Sequence, residues 1–454
     1  MLKKMENEIS DFDYIKCLVE NGENVFITGP AGTGKSYLLN KLKKHYKNQL
    51  VLTSTTGISA INIEGLTIHS WAGVSCMNTP VQKKIDIFLA SNFGPIAEIK
   101  SRIKKCRILA IDEVSMLSAY SLEYLDAFFK GIRKDSRPFG GMQVLFFGDF
   151  MQLPPVFTVE ELKYKKGADL YCFESPVWEE LNFKPMLLNT IYRQDNLNFS
   201  KLLCRIRLGQ FSYSDHQILQ TRYFDESRML EDKLHIFPMK TQASKYNKAC
   251  MDKLVTPEYT YKSYDVVNTP LDLPDDLVEY RKDVYRKLNK TCPAKRELTL
   301  KVGCRVMLVK NLNFQLGLVN GVCGEILELA NSYVIVRFDN GQKVKLQACK
   351  FEYAEGENIL AKRFQIPLVV AYAITIHKAQ GLTLDEVVIN FRKAFSPGQV
   401  YVALSRVKSL NGLYITGYDY RKLAPDSKVR YFYSDLLQRQ YQEIIEHDYA
   451  RLFA

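Results

Sequence analysis

Short apolar runs alternate with helical patterns from residue 24 to about residue 190. Each run has the length and composition of a buried strand. The runs are Val25–Thr28, Leu50–Ser54, Ile108–Asp112 and Val144–Gly148. Because intervening helices connect such strands in the same direction, the pattern predicts a parallel sheet that binds ligands at the carboxyl ends of its strands. We therefore predict an α/β domain over residues 1–190.

A second alternating region is split along the chain into residues 191–255 and 354–454. Its candidate strands lie near Leu234–Phe237, Leu368–Val370, Val387–Ile389 and Leu413–Thr416. Strands separated by helical patterns again favour a parallel sheet. The two parts predict a second α/β domain, which is interrupted by an insertion of residues 256–353.

The later part of the insertion, residues 302–353, is rich in short strand-like segments. These are Arg305–Val309, Glu325–Leu329, Tyr333–Phe338 and Lys343–Leu346. The last two are joined through Asp339-Asn340-Gly341, which is typical of a β-hairpin turn. We predict that residues 302–353 form a small β-barrel.

The earlier part of the insertion, residues 256–300, has no clear period. It contains Pro257, Pro270 and Pro274 together with many charged residues. Proline interrupts both helices and central strands. We expect loops or short helices in this part.

Composition narrows the class of protein. The chain has 454 residues and a formal net charge of +12, and a basic excess favours nucleic-acid phosphates as partners. Its ten cysteines include no CxxC pair, which argues against zinc fingers and thiol redox motifs. No membrane-spanning run and no secretory signal pattern is visible, so we expect an intracellular protein of the cytoplasm or nucleus.

A P-loop pattern connects the first strand with a helical segment. It reads Gly29-Pro30-Ala31-Gly32-Thr33-Gly34-Lys35-Ser36, which matches GxxxxGK[ST]. In such a loop the backbone N–H groups surround phosphate oxygens, the Lys reaches the β- and γ-phosphates, and the Ser ligates Mg²⁺. A glycine-rich turn with a chance lysine is the alternative. The strand before and the helix after the loop favour a nucleoside triphosphate site.

Further candidate groups lie at the ends of other strands. Asp112 and Glu113 end an apolar run, where the first can hold Mg²⁺ and the second can orient or deprotonate the attacking water. The alternative is a pair of surface acids at a helix start. Gln152 follows a strand and can sense a γ-phosphate or be a plain surface residue. Arg193 and Arg406 can stabilise transition-state charge, although periodicity alone does not distinguish them from other arginines.

Taken in order, these motifs resemble superfamily-one DNA helicases, and within them the Pif (petite integration frequency) family and the related RecD-like helicases. The P-loop and Asp112–Met116 resemble motifs I and II, and Tyr192–Gln194, Ala373–Gly381 and Tyr401–Arg406 resemble motifs IV, V and VI. Thr53–Ala60, Thr67–Gly73 and Pro138–Gln143 with Gly148–Pro155 resemble motif Ia, the segment after it, and the signature region with motif III. The resemblance covers nearly the whole chain.

The resemblance implies a motor that moves 5′ to 3′ on single-stranded DNA and unwinds tailed or forked duplexes in replication, repair or recombination. Two RecA-like domains would enclose ATP and Mg²⁺, and the enzyme would act as a monomer. Lys35, Ser36 and Asp112 would then hold phosphate and metal, Glu113 would activate water, and Gln152, Arg193 and Arg406 would sense the γ-phosphate.

The resemblance also implies a DNA path. Gln380 and Gly381 would connect the nucleotide site with DNA, and residues 74–105 could include a wedge that separates the duplex. The residues expected along the strand are Thr55, Thr56, His69, Ser70, Thr375 and His377.

The sequence departs from the family pattern in three places. Family members carry a Gln upstream of the P-loop that reads adenine, but residues 1–28 contain none, so the choice of nucleotide stays open. Ala379 stands where Ser is frequent, and Met151 stands where an aromatic residue is frequent. Two other functions stay open beside DNA unwinding, namely an ATP-dependent clamp or loader that does not unwind and a helicase that acts on RNA.

Overall fold

A computed structural model describes residues 10–74, 77, 80–157, 170–194, 196–225, 232–268, 277–313, 315–355 and 358–438. Pro270, Pro274 and Cys76, and with them part of the predicted wedge segment, lie outside these residues. The described chain contains two parallel sheets and three antiparallel sheets, and the antiparallel strands interrupt the second parallel sheet in sequence.

The first parallel sheet has six strands in the order β3-β2-β4-β5-β1-β6. Its strands are β1 Val25–Thr28, β2 Leu50–Ser54, β3 Leu66–Thr67, β4 Ile108–Asp112, β5 Gln143–Gly148 and β6 Lys184–Leu187. All four strands predicted in this region are confirmed. Every residue of β1 and β4 is buried, which is expected when helices cover both faces of a parallel sheet.

Helices surround this sheet. They are α1 Asp11–Glu20, α2 Lys35–Tyr46, α3 Gly57–Asn62, α4 Ile68–Ala72, α5 Val81–Ala90, α6 Gly94–Lys105, α7 Ala119–Arg133 and α8 Pro176–Glu180. The Ser118 side chain caps α7 by accepting a hydrogen bond from the Ser121 N–H, and one face of the helix is buried. Helices α5 and α6 form a hairpin that packs on α7. This hairpin occupies most of the segment predicted to contain a wedge.

The second parallel sheet has four strands in the order β18-β7-β19-β20. They are β7 His235–Phe237, β18 Ala373–Thr375, β19 Val387–Asn390 and β20 Leu413–Gly417. The prediction that Leu368–Val370 belongs to this sheet is wrong. That strand, β17, pairs antiparallel with the strand β11 of residues Arg305–Leu308 in the insertion. A short apolar run does not specify its partner, and Ala373–Thr375 takes the predicted place.

The insertion is mainly antiparallel. Strands β11 and β17 belong to a five-stranded sheet in the order β14-β13-β12-β11-β17, with β12 Cys323–Leu329, β13 Tyr333–Phe338 and β14 Lys343–Gln347. The predicted hairpin joins β13 and β14. No pairing between the outer strands β14 and β17 closes this sheet in the described residues, so the barrel is not confirmed.

Two smaller sheets complete the insertion. They contain β8 Tyr259–Lys262 with β10 Glu297–Leu300, and β9 Tyr264–Val267 with β15 Cys349–Glu355 and β16 Asn358–Gln365. The prediction of only loops or short helices for residues 256–300 is wrong, because the helix α12 runs over Leu277–Thr291. It buries Val284 and Leu288 one turn apart, and this narrow apolar stripe is hidden among charged residues in the sequence.

The remaining helices follow the first sheet in sequence. They are α9 Leu197–Leu208, α10 Tyr213–Gln220, α11 Lys240–Lys253, α13 Ile376–Ala379, α14 Gln399–Leu404 and α15, which includes residues 427–438. Although the sequence assigns the chain's end to the second domain, Val429 and Tyr433 of α15 are buried in the core of the first sheet's helical layer. None of the described helices has the length and apolar character needed to cross a membrane.

Candidate active site

Glycines shape the P-loop between β1 and α2. Gly29 and Gly32 have φ angles of +153° and +85°, a region in which L side chains are strained. A Cβ atom would lie 2.4 Å from the Leu188 carbonyl oxygen at Gly29 and 2.5 Å from the Arg193 Cβ at Gly32. Only glycine fits at these two positions, so the backbone can curve tightly around a ligand.

The Lys35 ammonium lies inside this loop. Its Nζ donates hydrogen bonds to the carbonyl oxygens of Gly29 at 2.7 Å and Pro30 at 2.9 Å. Burial lowers the pKa of Lys35, and the nearby carboxylates, Asp149 foremost, oppose that effect. Ser36, in the first turn of α2, is exposed. The loop therefore presents a cation, a hydroxyl and a helix N-terminus to the same space, which suits a phosphate group.

Two carboxylates follow β4 next to the loop. Asp112 is buried and its Oδ2 accepts a 2.7 Å hydrogen bond from the Ser59 hydroxyl, while burial raises the pKa of Asp112. Burial, together with the charge of Asp112, raises the pKa of Glu113 to about 7. Sequence reasoning placed Ser59 in a motif but gave it no role. A carboxyl group with a pKa near neutrality is suited to general-base catalysis.

Gln380, from the second half of the chain, contacts the Glu113 carboxylate. Its Nε2 donates a 2.9 Å hydrogen bond to Glu113 Oε2. The neighbouring Gly381 has a φ of +83°, and a Cβ there would lie 3.5 Å from Asn62 Nδ2 in α3. The structure thus brings the segment after α13 against the edge of the first sheet at which Glu113 lies.

The two candidate arginines come together near Glu113. Arg406 is buried and donates 2.7 Å hydrogen bonds to the Val402 carbonyl and to Ser405 Oγ. Burial, together with repulsion from Arg193, lowers the pKa of Arg406 to about 9, and Glu113 attracts both arginines. Arg193 Nη1 lies 3.5 Å from the Ser405 carbonyl oxygen. Neither arginine forms an ion pair with a carboxylate among the described residues, and two such cations near one site suit an anionic ligand.

Gln152 is also buried at this cleft, but it faces Asp149. Its Nε2 lies 3.5 Å from Asp149 Oδ2. Gly398 packs on its backbone, since a Cβ there would lie 2.1 Å from the Gln152 carbonyl oxygen. Contact between Gln152 and a γ-phosphate stays a prediction.

Comparison with known proteins identifies the family. A family model described as PIF1-like helicase matches residues 2–217, and one described as DNA helicase Pif1, 2B domain, matches residues 284–329 within the insertion. The chain is 31% identical to the ATP-dependent DNA helicase Pif1 of Bdellovibrio bacteriovorus, covering 92% of this chain and 89% of that protein. The chain belongs to the PIF1-like helicase family. It is an ATP-dependent DNA helicase.

Other family members agree in sequence and fold. The human ATP-dependent DNA helicase PIF1 is 33% identical over 92% of this chain, which spans 62% of the human protein. The structure of Bacteroides sp Pif1 in complex with ADP-AlF4 matches with a TM-score of 0.75 and 27% identity, over 96% of this chain and 97% of that one. Bacteroides Pif1 bound to ssDNA matches with a TM-score of 0.64 and 28% identity, at the same coverage.

Tyr192 is a residue of this PIF1-like site that sequence reasoning did not select. Its ring is 74% exposed, and its N–H donates a 2.8 Å hydrogen bond to the Gly32 carbonyl. The ring lies 3.8 Å from the Cβ position of Gly34. An exposed aromatic ring against a P-loop offers a stacking surface for a base. The only indication of Tyr192 in the sequence was its position beside Arg193 in the segment that resembles motif IV.

The candidate DNA contacts lie at strand ends of the PIF1-like fold. Thr55 and Thr56 follow β2, His69 and Ser70 lie in α4, and Thr375 and His377 flank the end of β18; all six are half-buried. Thr55 Oγ1 donates a 2.8 Å hydrogen bond to the Glu113 carbonyl. Thr375 caps α13, and burial lowers the pKa of His377. The threonines thus lie at the carboxyl edge of each parallel sheet.

The described residues contain no group of three His, Cys, Asp or Glu side chains arranged to hold a metal ion. Mg²⁺ does not require such a group, because it keeps several waters and takes one or two carboxylates plus substrate phosphates. Asp112 and the Ser36 hydroxyl supply oxygen donors of that kind. Asp112 ends β4, and Ser36 follows β1 through the P-loop. Only β5 lies between these two strands, so their axes are about 10 Å apart.

Proposed function

We propose that this helicase translocates 5′ to 3′ on single-stranded DNA and unwinds tailed or forked duplexes, with ATP and Mg²⁺ bound between its two parallel-sheet units. The observation that carries the proposal is the hydrogen bond from Gln380 to Glu113 at 2.9 Å. It connects the candidate catalytic base with the segment that carries Thr375 and His377. A motor needs such a connection, because hydrolysis must depend on DNA.

The nucleotide site uses the groups around the P-loop. Lys35, which now binds the loop's own carbonyl oxygens, exchanges them for β- and γ-phosphate oxygens when ATP binds. Ser36 and Asp112 would hold Mg²⁺, which when bound would neutralise charge on the phosphates. The loop residues from Ala31 to Gly34 supply backbone N–H groups, and α2 directs its N-terminus at the phosphates.

Glu113 accepts a proton from the attacking water, and the arginines Arg193 and Arg406 bind the γ-phosphate. Arginines at this position stabilise transition-state charge and contribute about a thousand-fold or more in rate. Arg193 follows β6 of the first sheet and already packs on Gly32, whereas Arg406 follows α14 of the second unit, so the contact between Arg406 and the phosphate depends on how the second unit lies against the first. Gln152 senses the same phosphate after its side chain turns away from Asp149.

Tyr192 stacks on the nucleotide base. No glutamine in residues 1–28 is present to read adenine, while the exposed Tyr192 ring beside Gly34 offers a flat surface that every base can use. We therefore propose that the enzyme accepts several nucleoside triphosphates. The identity of the base therefore affects nucleotide binding less than in a helicase whose glutamine side chain recognises adenine.

The DNA strand crosses the carboxyl edges of both sheets. Thr55 and Thr56 grip it from the first unit and Thr375 and His377 from the second, with His69 and Ser70 beside the first pair. Hydroxyl and backbone groups bind phosphates without reading sequence. The two units grip the strand alternately as the cleft closes and opens, and this alternation moves the strand.

The hairpin of α5 and α6 separates the duplex. Phe93, in the turn between the helices, is 83% exposed, so its ring is accessible to a base pair. The turn is held by Lys100 Nζ, which donates a 2.5 Å hydrogen bond to the Ser91 carbonyl. Arg102 of α6 donates a 2.9 Å hydrogen bond to the Ser70 carbonyl and thereby connects the hairpin with the DNA path.

Domain organisation and cellular role complete the proposal. We propose that residues 1–190 form the first RecA-like domain and that residues 191–255 and 354–454 form the second, apart from the return of α15 and from β16 and β17, which pair with strands of the insertion. Residues 256–353 form the rest of the insertion with its small barrel. The enzyme acts as a monomer in replication, repair or recombination.

Strand displacement with polarity-resolved substrates tests this function. Duplexes with a 5′ tail, with a 3′ tail and without a tail are incubated with wild type and with Glu113→Gln. We expect unwinding by wild type on the 5′-tailed duplex alone, and none by Glu113→Gln. ATP-dependent binding without strand separation would favour a clamp or loader, and faster unwinding of tailed RNA would favour an RNA helicase.

A further inference from the structure

Three segments that are distant in sequence meet in a buried polar cluster beneath the P-loop. Asp149 follows β5, Arg207 lies near the end of α9, and Tyr433 lies in α15. The side chains of Asp149 and Arg207 are 0% and 6% exposed. Arg207 Nε and Nη2 donate hydrogen bonds of 3.0 and 2.7 Å to the two carboxylate oxygens of Asp149. This bidentate pair fixes the orientation of both groups.

The Tyr433 hydroxyl completes the cluster. It lies 2.6 Å from Thr28 Oγ1, 3.1 Å from the Phe150 N–H and 3.2 Å from Asp149 Oδ1. A phenol has one hydrogen to donate and accepts hydrogen bonds at its oxygen. The consistent assignment is donation to Asp149 and acceptance from Phe150 and Thr28. Thr28 is the residue before Gly29, so one hydroxyl connects the start of the P-loop with Asp149.

The cluster also sets the charge beside Lys35. Burial would raise the pKa of Asp149, but Arg207 outweighs it and holds the pKa below its usual value, so the carboxylate stays ionised. Among the carboxylates that attract Lys35, Asp149 has the largest effect, ahead of Glu113 and Asp112. The charge that most favours the protonated form of Lys35 therefore sits on a carboxylate that Arg207 and Tyr433 bind through hydrogen bonds.

We infer that Arg207 and Tyr433 are positioning residues for ATP hydrolysis, which fix Asp149 and Thr28 so that Lys35 and the P-loop keep their catalytic geometry. The inference rests on the proposed role of Lys35 in phosphate binding. Neither residue touches the nucleotide; both act through Asp149 and Thr28. Because α9 belongs to the proposed second RecA-like domain and α15 returns to the first sheet's helical layer, the nucleotide site depends on how both helices pack.

The Tyr433→Phe variant tests the inference, since it removes one hydroxyl and keeps the ring that packs 4.9 Å from the Arg207 guanidinium. Tyr431→Phe is the matched control, because Tyr431 lies two residues away on the same helix and is 77% exposed. We measure kcat and KM for ATP with saturating single-stranded DNA, DNA affinity without nucleotide, and the midpoint of thermal unfolding.

We expect Tyr433→Phe to lower kcat by about ten-fold or more, as small displacements of catalytic groups do. Its DNA affinity stays within about two-fold of wild type, and Tyr431→Phe behaves as wild type in every measurement. Asp149→Asn gives a loss of similar size, and the double variant loses little more, because residues that act as a unit are not additive.

Wild-type kcat in Tyr433→Phe would overturn the inference. So would a loss of activity that only follows the loss of folded protein, or fully additive effects with Asp149→Asn, since each indicates a purely structural cluster. If wild type itself lacks DNA-stimulated ATPase activity, the proposed function fails and the inference fails with it. That outcome is recognised by the wild-type measurement alone.

Discussion

Gln380 donates a 2.9 Å hydrogen bond to the carboxylate of Glu113, although 267 residues separate them in sequence. Gln380 follows the short helix α13, which begins directly after the candidate DNA contact Thr375. Glu113 follows the buried strand β4 at the nucleotide site. A movement of the segment from Thr375 to Gln380 on DNA binding would therefore act directly on the carboxylate that we propose as the catalytic base.

The ATPase activity is expected to depend on pH through Glu113. Its pKa is raised to about 7, mainly by burial, and a general base must be deprotonated to act. The kcat/KM for ATP should therefore rise about ten-fold per pH unit below neutrality and level off above it. A pH profile of DNA-stimulated hydrolysis checks this. A profile that is flat between pH 5.5 and pH 8.5 would contradict the assignment of Glu113 as the base.

Substitution of Gln380 should shift that profile. Its hydrogen bond stabilises the charged carboxylate and so lowers the pKa of Glu113. Gln380→Ala removes the bond and should move the midpoint to higher pH, and Gln380→Glu adds a like charge and should move it further. Both variants should lose most of the DNA stimulation of hydrolysis. Midpoints equal to that of wild type in both variants would show that the contact does not act on Glu113.

The affinity for nucleotides should depend on Tyr192. Stacking of a base on an aromatic ring contributes about 1–3 kcal/mol, so Tyr192→Ala should raise the KM for ATP roughly 5- to 150-fold. The KM values for GTP and CTP should rise in parallel, because stacking does not select a base. Tyr213→Ala is a suitable control, since Tyr213 is equally exposed, at 75%, but lies on α10 away from the P-loop. Equal KM values in the two variants would exclude Tyr192 as a stacking surface.

Local sequence patterns were sufficient to predict four strands of the first sheet and the P-loop. Ile108–Asp112 and Val25–Thr28 are apolar runs whose length, burial and end residues are encoded in a few consecutive positions. Gly29 and Gly32 are required because of backbone angles and close neighbours, and their spacing in the sequence already indicates that requirement. The cofactor and the candidate carboxylates were predictable for the same reason.

Contacts between distant segments were not predictable in this way. Leu368–Val370 and Ala373–Thr375 are both short and apolar, and only pairing with Arg305–Leu308 decides which strand joins the insertion. Tyr433 lies 405 residues from Thr28, so no local periodicity of the sequence could predict their hydrogen bond. Ser59 and Tyr192 lie in recognised motifs, but the motifs did not indicate their roles. Ser59 acts on the Asp112 side chain and Tyr192 packs on the P-loop backbone, and only the fold brings these groups together.

Duplex separation should depend on the exposed ring of Phe93. DNA stacking averages about 1.4 kcal/mol per base-pair step, and an aromatic ring that stacks on the last open pair offsets part of that energy. Phe93→Ala should therefore slow unwinding of a 5′-tailed duplex about ten-fold while hydrolysis stimulated by single-stranded DNA stays unchanged. Ile87→Ala is the matched control, because Ile87 is 43% exposed on α5 of the same hairpin. Equal unwinding rates in the two variants would show that the hairpin, if it acts as a wedge, does so without this ring. A parallel loss of hydrolysis in Phe93→Ala would indicate a disturbed DNA path, which the hydrogen bond from Arg102 to the Ser70 carbonyl makes possible.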